Sequence, residues 1–264
     1  MFLEGEEMAD YQNLEERLNS FLRLQTYPVG VKLVKSEREF PERVRRPKAM
    51  NMRLATCQGI SLARRNGWIV GFTADDIACL PSSILYGFLK VNRVEDLVEA
   101  MEAMGYRESR EGYVEMASTL KTLTPGEYKG VYFAPLRRMD KDPDVVLIYC
   151  NPAQVTRLIQ AANYKSGIVK SELLGLAESC RAVVESLRRQ EPWLSIPGAG
   201  DRVFSMAGEN EVLFAIPYGM LGDVLDGLEK AGAKVRMRYP IPYIPTQPVP
   251  PPAWPILEER VSKP

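Results

Sequence analysis

The sequence predicts an α+β domain, with mixed or antiparallel sheets packed against helices, followed by an extended proline-rich tail. Three observations predict it. Segments with apolar residues at helical spacing alternate irregularly with apolar runs of strand length. Two of those runs, Val146-Leu147-Ile148 and Val212-Leu213-Phe214, each lead through a proline (Pro152, Pro217) into a helical segment, a strand–Pro–helix pseudo-repeat. Beyond Tyr239 the composition changes: nine of the 20 prolines fall in residues 240–264, a density that imposes extended backbone and cannot enter the middle of a sheet.

The elements follow in order. Leu14, Leu18, Phe21 and Leu22 mark a helix over 10–24, broken by Tyr27-Pro28, and 29–34 reads as a strand. A charged loop with Pro41 and Pro47 leads to a helix over 55–65, stopped at Asn66-Gly67, and to an extended segment over 68–72. Asn92 and Glu95 form a capping-box pattern ahead of Leu97, Val98 and Met101, with Gly105 as the stop. Residues 128–134 and 144–150 read as strands, 152–162 and 171–189 as helices, and 202–206 and 211–216 as paired strands around Gly208-Glu209-Asn210. A last helix over 218–231 stops at Gly232. Residues 1–239 are therefore expected to form one domain of two intimately packed halves with a seam near 120–128, and 240–264 a separate arm. Because Tyr243, Ile244, Val249 and Trp254 stand between its prolines, residues 240–256 are expected to lie against a folded surface, its own or that of a second copy in a homodimer.

Composition excludes whole classes of chemistry. The 264 residues include no histidine, which removes Ser-His-Asp and Cys-His nucleophile activation, histidine zinc sites and haem on a proximal histidine. Any proton transfer must use Glu, Asp, Lys, Tyr or Cys. The 34 basic side chains cancel the 34 acidic ones, so no net field favours nucleic acid or an acidic membrane surface. Apolar runs such as 144–150 are strand-sized and do not span a bilayer. The acidic N-terminus lacks a secretory apolar run, and a helix follows Met8, which makes Met8 an alternative start. A cytoplasmic protein with reduced thiols is expected, since a chain this long needs no disulfide staples.

The four cysteines, Cys57, Cys79, Cys150 and Cys180, are the best soft ligands and nucleophiles the chain offers. Cys57 and Cys79 sit near expected helix starts, where unpaired N–H groups favour a thiolate. Cys180 shares a stripe with Leu173, Leu176, Val183, Val184 and Leu187, and Cys150 ends an apolar strand, so both also read as core. No CxxC pair occurs, so a metal site would have to assemble from distant segments. Arg64, beside Arg65, and Arg202, in Gly198-Ala-Gly200-Asp-Arg, are candidate contacts for an anionic ligand, although such arginines are more often surface or turn residues. The glycine turn lacks the third glycine of a dinucleotide fingerprint.

Taken in order, Cys57-Gln-Gly, Cys79 before a small-residue helix, Asn-Pro-Ala-Gln at 151–154 with Tyr164 and Gly167, Ala-Glu-Ser-Cys180, Gly200-Asp-Arg202 and Ala-Ile-Pro217 resemble the domain of unknown function 169 family over nearly the whole chain. The resemblance implies a distribution in archaea and anaerobic bacteria and scattered cysteines matching Cys57, Cys79 and Cys180. Some members carry a further cysteine where this chain has Gly198-Ala199, so a four-thiolate site here would need Cys150. The expectation is a metal or iron–sulfur centre on these cysteines, with a redox role. A metal-free small-molecule or tetrapyrrole pocket lined by Cys57, Arg64 and Arg202, and a non-catalytic assembly protein, stand as alternatives.

Overall fold

A computed structural model of the protein describes residues 10–165, 167–235, 239–240 and 258–261. The apolar runs form a six-stranded sheet from β1 (Val29–Val34), β2 (Val70–Phe72), β3 (Gly130–Pro135), β4 (Val145–Cys150), β5 (Trp193–Ser195) and β6 (Val212–Pro217). Its order is β2-β3-β1-β4-β6-β5, and every pair is antiparallel. Strands from both sides of residues 120–128 share it.

Both faces of the sheet are covered. Tyr132, Ala134, Val146, Ile148, Cys150, Phe214 and Ile216 point to one core, closed by α1 (Tyr11–Leu22), α6 (Pro152–Ala162) and α9 (Leu221–Lys230). Their strand neighbours Val131, Phe133, Leu147, Tyr149, Leu213 and Ala215 point to the other, closed by α2 (Thr56–Asn66) and α7 (Glu178–Arg189). Because each strand is buried on both sides, β3 and β4 read as unbroken apolar runs instead of alternating. The pseudo-repeat takes physical form here: β4 and β6 pair directly, and their helices α6 and α9 pack on each other over the same face.

Beside the α2–α7 layer stand three short elements, α3 (Leu80–Leu85), α4 (Val94–Glu102) and α5 (Arg110–Thr119). The α4–α5 hairpin has a small core of its own, from Val98, Met101, Tyr113, Met116 and Ala117. Among the described residues no helix is long and apolar enough to cross a membrane.

Several expectations are corrected. Residues 202–206 are not a strand: 202–205 belong to helix α8 (Ala199–Ser205) and Met206 is its C-cap, because Asp201 accepts a hydrogen bond from the Gly198 N–H (2.9 Å) and caps a helix there. β6 pairs with β4 and β5 instead. The helix expected over 171–189 begins only at Glu178, so Leu173 and Leu176 do not share a helical stripe with Cys180. Arg93, not Asn92, is the N-cap residue of α4. Sequence alone did not place α5 or β5. The expected docking of residues 240–256 falls, beyond Pro240, on residues that lie outside the described ones.

Candidate functional site

Three of the four cysteines line one cleft. Cys57 comes from the first turn of α2, Cys79 from the residue before α3, and Cys180 from the first turn of α7. The cleft has a volume of about 340 Å³, its outer wall formed by Met104, Tyr106, Val203 and Phe204. Cys57 and Cys180 are buried and Cys79 is half-buried.

The segments that carry Cys57 and Cys180 are held by local chemistry that the sequence motifs encode. In Cys57-Gln-Gly, the Gln58 side chain reaches back to accept from the Ala55 N–H (2.8 Å), capping α2. Gly59 lets the helix settle onto the sheet: a Cβ there would stand 2.3 Å from the Phe72 ring. In Ala-Glu-Ser-Cys180, buried Glu178 accepts from the N–H groups of Leu174 (2.7 Å) and Gly175 (2.8 Å) and from the Ser195 hydroxyl (2.6 Å). Ser179 donates to Asp201, which ties the start of α7 to the start of α8. The backbones meet closely, for a Cβ on Gly198 would stand 2.7 Å from the Gly175 carbonyl oxygen. The family-like motifs at 177–180 and 198–202 thus form one interlocked wall.

The thiols sit in a low-polarity setting. Burial pushes the Cys57 thiol up to about 12; the nearby Asp201 and Cys79 add to this, against smaller opposing contributions from the N–H groups of Gln58 and Cys57 itself. The expected thiolate at this helix start is therefore not the ground state: desolvation outweighs the helix N-terminus. Burial, then Cys79 and Cys57, hold the Cys180 thiol well above its ordinary range, and its sulfur shares a 3.1 Å hydrogen bond with the Thr56 hydroxyl. Burial also raises Asp201. Behind the cysteines, Tyr86 and Tyr149 are buried. Their hydroxyls have no hydrogen-bond partner among the described residues, and each lies in the electrostatic reach of Cys57 and Cys180. Sequence reasoning missed Thr56, Tyr86, Tyr149 and Asp201. Of these only Asp201, three residues after Gly198, carried a readable capping signal.

The remaining candidates lie elsewhere. Cys150 is on the opposite face of the sheet, in the α6–α9 core, and its thiol faces the Val212 carbonyl at 3.7 Å; burial pushes it to about 12 as well. Arg64 is buried against the Tyr149 ring, its guanidinium 4.0 Å from the ring centroid. It is engaged by both oxygens of Glu211 at 2.6 and 2.8 Å. Arg202 donates to the Gly208 carbonyl at 2.6 Å, closing the turn after α8. Neither arginine lines the cysteine cleft. Among the described residues, no group of three or more Cys, Asp or Glu is arranged to hold a metal ion as it stands.

Comparison with known proteins matches this chain to a family. A profile of the domain of unknown function 169 family, described as uncharacterised ArCR, aligns with residues 17–227. The chain is 26% identical over 218 residues to the uncharacterized protein MJ0308 of Methanocaldococcus jannaschii, an alignment covering 81% of this chain and 91% of the relative. No solved structure matches. With the profile running from within α1 to within α9, and so taking in every cysteine and every wall of the cleft, this chain belongs to the domain of unknown function 169 family.

Proposed function

We propose that the cleft holds a thiolate-bound metal centre, an iron–sulfur cluster in the first instance, with Cys57, Cys79 and Cys180 as its protein ligands and a role in redox chemistry. One observation carries the reading: thiols from three separate segments line one cleft in a chain that has four cysteines in all. The two classes of centre differ in the spacing they ask of their ligands. A single tetrahedral ion draws its ligands tightly together, whereas in a cluster each thiolate binds a different iron and the sulfurs stand farther apart. In a four-iron cluster, three thiolates would leave one iron for an outside ligand. The orphan hydroxyls of Tyr86 and Tyr149, with Thr56, are donors of the kind that hydrogen-bond cluster and cysteine sulfurs and set their potential.

Anaerobic purification, followed by a visible spectrum and iron and sulfide assay, tests this. Bound iron with a sulfur-to-iron charge-transfer band is expected, lost in Cys57→Ser, Cys79→Ser and Cys180→Ser but kept in Cys150→Ser, whose thiol lies on the other side of the sheet. Because Cys57 and Cys180 bind as thiolates from raised pKa values, reconstitution releases protons and tightens as pH rises. A folded, colourless, iron-free protein from cells that load other clusters overturns the reading. It would favour a metal-free small-molecule pocket, which the apolar outer wall of Met104, Tyr106, Val203 and Phe204 also supports.

A further inference from the structure

The cysteine cleft does not end at its own floor. A second cavity of about 360 Å³ opens beside it between α3, α4 and α5, and the two share Pro81, Met104, Leu176 and Ala177 as common walls. This second chamber is lined by side chains such as Ile84, Leu85, Leu97, Met101 and Leu120, with Asn92 and Thr122 as its polar exceptions. It holds no charged side chain. We infer that this chamber takes the hydrocarbon part of an amphiphilic small molecule whose other end reaches the thiol-lined cleft.

Four features support the assignment. An uncharged, mostly aliphatic wall binds by area removed from water and selects against polar or ionic ligands. Each chamber is near the lower end of the roughly 300–1,000 Å³ usual for small-molecule sites, so together they suit an elongated molecule. The α4–α5 hairpin that roofs the chamber packs chiefly on itself, as expected of a cap that gives way to admit a ligand. At the junction of the chambers, Ala177 holds a left-handed backbone (φ 52°, ψ 31°) at the start of a helix, a conformation uncommon for a non-glycine residue. The inference deepens the metal-centre reading by naming the class of molecule that meets the open end of the centre. It rests on that reading only for what the thiol end does.

The test is a fluorescence titration of the full anaerobically purified chain with cis-parinaric acid, a fluorescent polyene fatty acid, with decanoic acid as competitor. Saturable, competable binding is expected. Ala100→Trp and Val94→Trp, both from exposed positions at the edge of the chamber, fill it without touching a packed core and should each weaken binding about tenfold or more, with melting temperature and iron content unchanged. No saturable binding to the wild type, or wild-type affinity in both tryptophan variants, overturns the inference. The iron assay on the same samples reports on the thiol site separately, so either reading can fail alone.

Discussion

At the scale of single residues, the setting of each polar group decides whether it acts or supports. Cys57 has N–H groups within reach, but removing its sulfur from water costs more than they return, so the resting protein keeps a thiol. Iodoacetamide at neutral pH should therefore modify half-buried Cys79 first in the metal-free protein, with Cys57, Cys150 and Cys180 reacting only after denaturation. Peptide mass spectrometry over time checks this, and Cys57 labelling as fast as Cys79 would refute it. Arg64 was readable from sequence as a ligand contact, since a basic pair on a helix carries no mark of where it points. In the fold Glu211 occupies both arms of its guanidinium. Burial alone would raise the Glu211 carboxyl, but Arg64 and the Gly208 N–H outweigh it and hold it below the ordinary range. Glu211→Ala strands a buried cation and should cost about 3 kcal/mol or more in stability, measured by urea unfolding. A cost near zero would return Arg64 to the list of ligand candidates.

At the scale of elements, the packing turns on where one backbone can approach another. Gly227 on α9 sits against α6 so closely that a Cβ would stand 2.2 Å from the Ala161 carbonyl oxygen, whereas a Cβ on Gly222, on the same helix, would meet nothing within 4 Å. Gly227→Ala must push the two helices apart and should destabilise by about 1–3 kcal/mol or more, while Gly222→Ala should stabilise by about 0.5–1 kcal/mol through helix propensity. Thermal unfolding of the pair separates the two effects, and equal shifts would contradict the packing. The elements legible in sequence were those whose signal is local: helix periodicity in 11–22, Pro152 at the start of α6, and the apolar runs of β1, β3, β4 and β6. Residues 202–206 failed because a β-branched and aromatic pair, Val203-Phe204, outweighed the capping aspartate two residues earlier. Those side chains are exposed on a helix at the mouth of the cleft. The start of α7 at Glu178 was not legible because its carboxylate takes its partners from a preceding irregular segment and from β5.

At the scale of the whole molecule, the antiparallel sheet separates two cores, with Cys57, Cys79 and Cys180 lining a cleft on one side and Cys150 buried on the other. Convergence of Cys57, Cys79 and Cys180 is a property of topology, which spacing cannot show: α2, α3 and α7 meet only once the sheet has placed them. The same two-sided burial gives the molecule an alkaline weakness. A buried thiol whose pKa is raised in the folded state keeps its proton when the unfolded chain has lost it. Its contribution is fully present below the unfolded value of 9.0 and is lost as pH rises toward about 12, the folded value for both Cys57 and Cys150. One pH unit above 9.0, each such thiol should remove about 1.4 kcal/mol. Cys150 isolates the effect, because it lies outside the cleft and its replacement leaves the proposed ligands intact. Urea unfolding of metal-free wild type and Cys150→Ala at pH 8 and pH 10 should show the wild type losing more stability between the two conditions, by about 1.4 kcal/mol. The constant cost of the missing sulfur cancels in that difference. Identical losses in the two proteins would mean that the Cys150 thiol is not held neutral by its core.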